Sequence, residues 1–239
     1  MSETVWDAEH AHSYDAHFDL VADRQRYRLY LTDLLRCLPD EPVRFLELGC
    51  GTGFFTEALF EVLPGIQGTA IDGSDAMLDK AKERFRDAGH EITFRCELLQ
   101  ELDWPALGTF PLVFSSLVVH HLADDEKRTL LENVFDALEP GGAFVLIDSF
   151  RPTDPVADGI IEQLTVLDIQ RRVEAQRGTA ASPDKILTHD REHKAAEGDQ
   201  ETSLETCLGW LREAGFRSVT SIFQDVRIAC VLAIKPDEP

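Results

Sequence analysis

Seven consecutive residues, Glu47-Leu48-Gly49-Cys50-Gly51-Thr52-Gly53, carry the first chemistry in this chain. Glycines at alternate positions let a backbone turn tightly and approach a ligand closely, because no Cβ intervenes. Asp72 ends the next apolar run, where a carboxylate can accept hydrogen bonds from both hydroxyls of a ribose. Together they describe a nucleoside-cofactor pocket. The dinucleotide fingerprint GxGxxG needs a third glycine, and Phe54-Phe55 stand in its place. Glu47, two positions before the first glycine, would sit badly beside a pyrophosphate. It suits a cationic sulfonium that carries an amino group, so S-adenosylmethionine is favoured over a nicotinamide dinucleotide.

Further along, Ser115, Ser116, His120 and His121 follow one another closely. Methyl transfer from a sulfonium is an in-line displacement, so a protein supplies positioning and, where needed, a base. Histidine has the pKa for that work, which makes His120 and His121 candidate catalytic groups. Arg151, Arg171 and Arg172 are candidate clamps for an anionic acceptor. His189-Asp-Arg-Glu-His193 spells a zinc-hydrolase pattern, but its segment has almost no apolar face to hold a metal site rigid. The N-terminal histidines make no better case, and no metal is expected.

Elements must hold these groups in place. Apolar periodicity predicts a helix over Ala22 to Leu38 and strands at Val43–Leu48, Gln67–Ile71, Glu91–Cys96, Leu112–Ser116 and Ala143–Asp148. Helices fall between them at Phe54–Leu63, from a Ser74 or Asp75 cap to about Ala88, and at Asp124–Leu138, each ended by Gly or Pro. Strands alternating with helices make a parallel sheet wound on both faces. Residues 151–202 break the rhythm, being polar and helix-prone, with an apolar stripe only over Ile160–Ile169. A helix from Ser203 to Ala214 and two closing strands, Arg217–Gln224 and Arg227–Ile234, complete the chain.

On these motifs the sequence resembles the class I S-adenosylmethionine-dependent methyltransferase family. ELGCGTG matches its first motif, AIDGSDAML its second, FPLVFSSLVVHHL its fourth-strand motif, and LEPGGAFVLIDSF its fifth strand. LGWLREAGFRSV is similar to the helix and sixth strand before the final antiparallel strand. The likeness is greatest to small stand-alone enzymes, some of the tRNA wobble-uridine methyltransferase-like type. It implies a doubly wound α/β fold: a mostly parallel seven-stranded sheet with one antiparallel strand and helices on both faces. A helical lid would be inserted after strand 5. One domain over 1–239 is expected, with a helical cap (1–40), a cofactor core (41–150), a substrate lid (151–202) and a closing helix and strands (203–239).

The resemblance also implies roles. Gly49, Cys50, Gly51 and Gly53 lie under the cofactor's methionine and ribose, and Glu47 anchors its amino end through water. Asp72 and Gly73 meet the ribose, Met77 packs near the adenine, and Ser115 lies near the methyl. Tyr14 folds over the cofactor. The family's adenine-binding Asp aligns with Leu98, between Glu97 and Leu99. Either the loop shifts by one residue, or backbone amides read the adenine.

Composition bounds the partners. Forty-four acidic residues against 23 basic ones give a net charge of −21, which disfavours nucleic acid and anionic membrane surfaces. Five dispersed cysteines (Cys37, Cys50, Cys96, Cys207, Cys230) fit reduced thiols in a cytoplasmic protein. The reading is methyl transfer from S-adenosylmethionine to a small-molecule acceptor, with S-adenosylhomocysteine as product, by a monomer or homodimer. Its alternatives are chemistry on the cofactor itself, in the manner of a carboxy-S-adenosylmethionine synthase, or cofactor binding without catalysis. The former would want an Arg near the methyl. A nicotinamide dehydrogenase comes last.

Overall fold

The structure, a computed structural model, describes Tyr14 and residues 23–237; the remainder of the expected lead-in over residues 1–20 lies outside the described residues. Helix α1 (Arg24–Arg36) starts where the Asp23 carboxylate accepts from the Arg26 N–H. Strand β1 (Arg44–Leu48) then runs into the glycine turn and helix α2 (Phe54–Val62). Strand β2 (Gln67–Asp72), helix α3 (Asp75–Phe85) and strand β3 (Ile92–Cys96) repeat the unit. Ser74 caps α3 by accepting from Met77 N, as its position before an amphipathic run predicts. Strand β4 (Phe110–Ser116), helix α4 (Asp124–Ala137) and strand β5 (Leu138–Ser149) follow.

All seven strands form one sheet in the order β3-β2-β1-β4-β5-β7-β6, where β6 is Ser218–Asp225 and β7 is Ile228–Ile234. Pairing is parallel from β3 through β5, and β7 runs antiparallel to both of its neighbours. The order reverses between β1 and β4, so their carboxyl ends open a crevice there.

Successive side chains on the central strands serve opposite layers. Phe45, Leu112, Phe114, Val145 and Ile147 pack with α1 and α2. Leu46, Val113, Phe144 and Leu146 pack with α4 and with α7 (Leu204–Glu213). This double burial makes the strands read as continuous apolar runs.

One departure from expectation is local, and the insertion is helical as expected. Leu138 joins β5, and the Glu139-Pro140-Gly141-Gly142 turn survives as an irregularity between the pairs Phe110↔Leu138 and Leu112↔Ala143. The polar segment forms two helices, α5 (Pro155–Arg177) and α6 (Pro183–Glu197). Of the apolar stripe on α5 only Val166 and Ile169 are buried, and α6 buries none of its residues. Charge therefore fastens this insertion. Arg191 grips Glu162 through two hydrogen bonds of 2.8 and 2.6 Å. Buried Arg227 binds Glu201 at 3.0 Å and Asp158 at 3.2 Å. No described helix is long and apolar enough to cross a membrane.

Candidate active site

A cleft of about 350 Å³ opens at the carboxyl ends of β1 and β4. Its floor is the glycine turn. Gly49 has φ +72°, and a Cβ there would lie 2.5 Å from the Val118 side chain, so no larger residue fits. Gly51 has φ +53° with nothing within 4 Å of its Cβ position. A side chain at Gly51 would stand where a ligand must pass.

Asp72 closes one side. Its two carboxylate oxygens accept from Gly51 N (2.8 Å) and Ser74 N (2.9 Å). Burial pushes its carboxyl up, and those two N–H groups oppose the shift. Each oxygen retains a lone pair for a ribose hydroxyl. Gly73, Met77, Cys96, Leu98 and Leu99 continue the wall. This apolar surface suits a purine, and Leu98 and Leu99 both reach it. Glu97 turns aside to pair with Arg95 at 2.5 Å.

The remaining site residues from the sequence are placed as follows. Cys50, Tyr14 and His121 line the cleft, whereas Glu47, Gly53, Ser115 and His120 stand behind its surface. Glu47 is fully buried below the glycine turn and accepts from Thr56 Oγ1 at 2.6 Å. Burial raises its carboxyl to about 8, and its Oε1 has no hydrogen-bond partner among the described residues. Ser115 donates to the Leu48 carbonyl and braces β4 against β1. Its neighbour Ser116 is the serine that reaches the cleft. Arg151 and Arg171 are largely exposed and pair with Asp158 and Asp168. Arg172 pairs with Asp168 but faces a second cavity of about 130 Å³ under the insertion.

Spacing alone did not reveal Arg24. It is 3% exposed, lines the cleft, and places its guanidinium 4.4 Å from the Phe54 ring centroid and 5.8 Å from that of Tyr14. No Lys or other Arg lines this cleft among the described residues. One signal was available. Helix α1 opens with Arg24, Arg26 and Arg28 and has no acid in its first turn, against the charge preference of a helix N-terminus.

The two histidines lie side by side with ring centroids 4.1 Å apart. His120 Nδ1 is 2.5 Å from Asp148 Oδ1 on β5. Burial depresses His120 most, but the Asp148 charge and hydrogen bond, with Asp199 and Glu201, outweigh it and leave the imidazole at about 9. Burial and the neighbouring His120 lower His121. The two imidazoles are thus shifted in opposite directions.

The groups present fit one cofactor class. They comprise an acid placed for a ribose, an apolar wall for a base, a guanidinium for a carboxylate and a glycine floor without the third glycine that a dinucleotide requires. The methyltransferase-domain family profile matches residues 45–142. A carboxy-S-adenosyl-L-methionine synthase of Aeromonas salmonicida is 31% identical over 204 residues, 82% of this chain and 76% of the relative. The chain belongs to the class I S-adenosylmethionine-dependent methyltransferases. Its cofactor is S-adenosylmethionine, with S-adenosylhomocysteine as the spent form.

A malonyl-[acyl-carrier protein] O-methyltransferase of Bacillus cytotoxicus is 48% identical, but over 60 residues, a quarter of this chain and a fifth of the relative. Among solved structures, a putative O-methyltransferase of Nostoc punctiforme aligns at TM-score 0.64 and 18% identity, over 96% of this chain and 60% of its own. The N-methyltransferase NodS of Bradyrhizobium japonicum, in complex with S-adenosylhomocysteine, aligns at 0.55 and 21%, over 89% and 87%. These two carry the fold alone. None of these relatives narrows the family to the tRNA wobble-uridine type.

Proposed function

We propose that this methyltransferase-family enzyme works on the methyl carbon of S-adenosylmethionine itself, joining to it a carboxyl group from a small carboxylic acid. The carrying observation is Arg24, a buried guanidinium in the cofactor cleft and the countercharge that an added carboxylate requires. The Aeromonas relative supports the same reading, because its match extends well beyond the 98 residues of the common cofactor profile.

Bound S-adenosylmethionine supplies a methyl carbon made acidic and electrophilic by the adjacent sulfonium. Of the chain's own groups, Asp72 orients the ribose and Arg24 holds a carboxylate. As the new C–C bond forms, the donor's bond to its carboxyl carbon would break, and the proton that the methyl carbon gives up would pass to the donor carbon that lost the carboxyl group, along the cleft wall that His121 lines. Phe54, Phe55 and Leu117 line the same cleft and limit water.

A second reading, methyl transfer to a separate small molecule, is favoured by the cavity under the insertion, where residues 151–202 would act as a lid selecting the acceptor. We assign the enzyme to the cytoplasm as a monomer or homodimer. The acidic surface argues against a tRNA acceptor.

The deciding experiment incubates the protein with S-adenosylmethionine and a panel of small carboxylic acids and reads the products by mass spectrometry. A cofactor heavier by one carboxyl group upholds the first reading. S-adenosylhomocysteine together with a methylated acceptor replaces it with the second.

A further inference from the structure

We propose that His120, His121 and Asp199 form a binding site for one divalent transition-metal ion in the wall between the cofactor cleft and the cavity under the insertion. The sequence gives no hint of it, because Asp199 is 78 positions from His121 and belongs to a run that reads as solvated charge. Folding brings one donor atom from each residue within 4.8 Å of the others. Asp199 Oδ1 lies 3.2 Å from His121 Nδ1 and 3.9 Å from His120 Nε2. Two ligands of a tetrahedral ion, each ~2.0–2.1 Å from it, stand roughly 3.4 Å apart, so these separations bracket what an ion requires.

The surroundings are those of a built site. The two imidazoles are buried and Asp199 is partly buried, with side-chain exposures of 8% for His120, 3% for His121 and 10% for Asp199. His120 has its Nδ1 against Asp148, a carboxylate only 2% exposed. That contact fixes the ring and turns Nε2 toward Asp199, the outer-shell arrangement by which proteins orient ligating histidines. Asp199 is fixed from the other side. Gln200 N donates to the His120 carbonyl at 2.7 Å, and Gln200 Nε2 donates to the His121 carbonyl at 3.2 Å.

Two imidazoles and one carboxylate make a ligand set for zinc, cobalt or iron(II) rather than for magnesium or calcium. Three protein ligands leave a coordination position open, as in catalytic sites. The location gives that position a use. His121 lines the cofactor cleft, His120 and Asp199 line the second cavity, and Leu117 borders both. Leu117 is held at φ +53°, a strained conformation for a non-glycine residue. An ion here would bind a carboxylate or hydroxyl oxygen of the second substrate beside the methyl group. This substrate role rests on the proposed function; ion binding does not.

The test uses the full chain stripped with EDTA. Zn²⁺ is titrated by calorimetry and Co²⁺ by visible absorption, with S-adenosylhomocysteine titrated into the same preparations. One saturable ion per chain is expected, with cobalt bands of a low-symmetry nitrogen and oxygen site. Asp199→Asn and His121→Gln should abolish that binding, and Asp148→Asn should weaken it about 10- to 100-fold. A double variant His189→Gln, His193→Gln should bind as the wild type does. No saturable binding by the wild type would overturn the proposal, leaving the trio as a polar latch for the insertion. So would unchanged binding in Asp199→Asn and His121→Gln, or loss of binding in the His189, His193 variant. Metal binding without S-adenosylhomocysteine binding would instead count against the cofactor cleft.

Discussion

Asp72, proposed for the ribose, and Arg24, proposed for the added carboxylate, each predict a separable defect. Asp72→Ala removes a charge-assisted contact to the ribose and should weaken S-adenosylhomocysteine binding by roughly 1.5–3 kcal/mol. Unchanged affinity in calorimetry would refute the assignment of the ribose. Arg24→Gln should weaken carboxy-S-adenosylmethionine by a similar margin, about 1.5–3 kcal/mol, yet leave S-adenosylhomocysteine, which lacks the added carboxylate, bound as tightly as before. Equal losses for both ligands would show that Arg24 supports the cleft rather than the carboxylate. Glu47 predicts a pH dependence. Its folded value of about 8 lies above the ordinary 4.5, so between those values the folded chain holds more proton than the unfolded chain. Stability therefore falls as the pH rises through that window, by a few kcal/mol at about 1.4 kcal/mol per pH unit. Glu47→Gln should flatten the decline in Tm from about pH 5 to about pH 9; an equal decline in both proteins would place the titration elsewhere.

At the scale of elements, the insertion after β5 is the part least supported by apolar packing and most dependent on charge. Arg227 is its fastening: 7% exposed, it meets Asp158 at the start of α5 and Glu201 beyond α6. The hairpin before it turns at Val226 with φ +53°, unfavourable for a β-branched residue, and so delivers Arg227 inward. Arg227→Met would remove the buried cation that the two carboxylates share, leaving Asp158 to the exposed Arg151 and Glu201 to Lys194 at 3.6 Å, a loss on the order of 1–3 kcal/mol. Hydrogen exchange should then quicken over residues 155–201 while β1 and β4 keep their protection. Uniform loss of protection would mean that the insertion and the sheet unfold as one unit.

For the whole molecule, a net charge of −21 creates a field that attracts cations. S-adenosylmethionine carries a net positive charge, and S-adenosylhomocysteine carries none. The association rate of the first should fall as salt shortens the Debye length from ~10 Å at ~0.1 M, and that of the second should hardly change. Stopped-flow measurements at low and high salt would show this, and parallel salt responses would remove the steering argument.

The sequence by itself determined the sheet and the glycine turn with its acidic partner. Both rest on local rules: apolar runs of strand length, glycines where a backbone must turn under a ligand, and an acid at the next strand's end. Leu98 was legible as a departure from the family, and the structure sets it on the apolar wall with Leu99. What only the tertiary structure decided depends on residues far apart in the chain. Arg24 enters the cleft because α1 packs against the layer containing Phe54. Asp199 reaches His120 and His121 because Gln200 and Arg227 tie the end of a charged segment to the sheet. A sequence window treats such charges as solvated, because burial is a property of what packs over a residue and not of its neighbours along the chain.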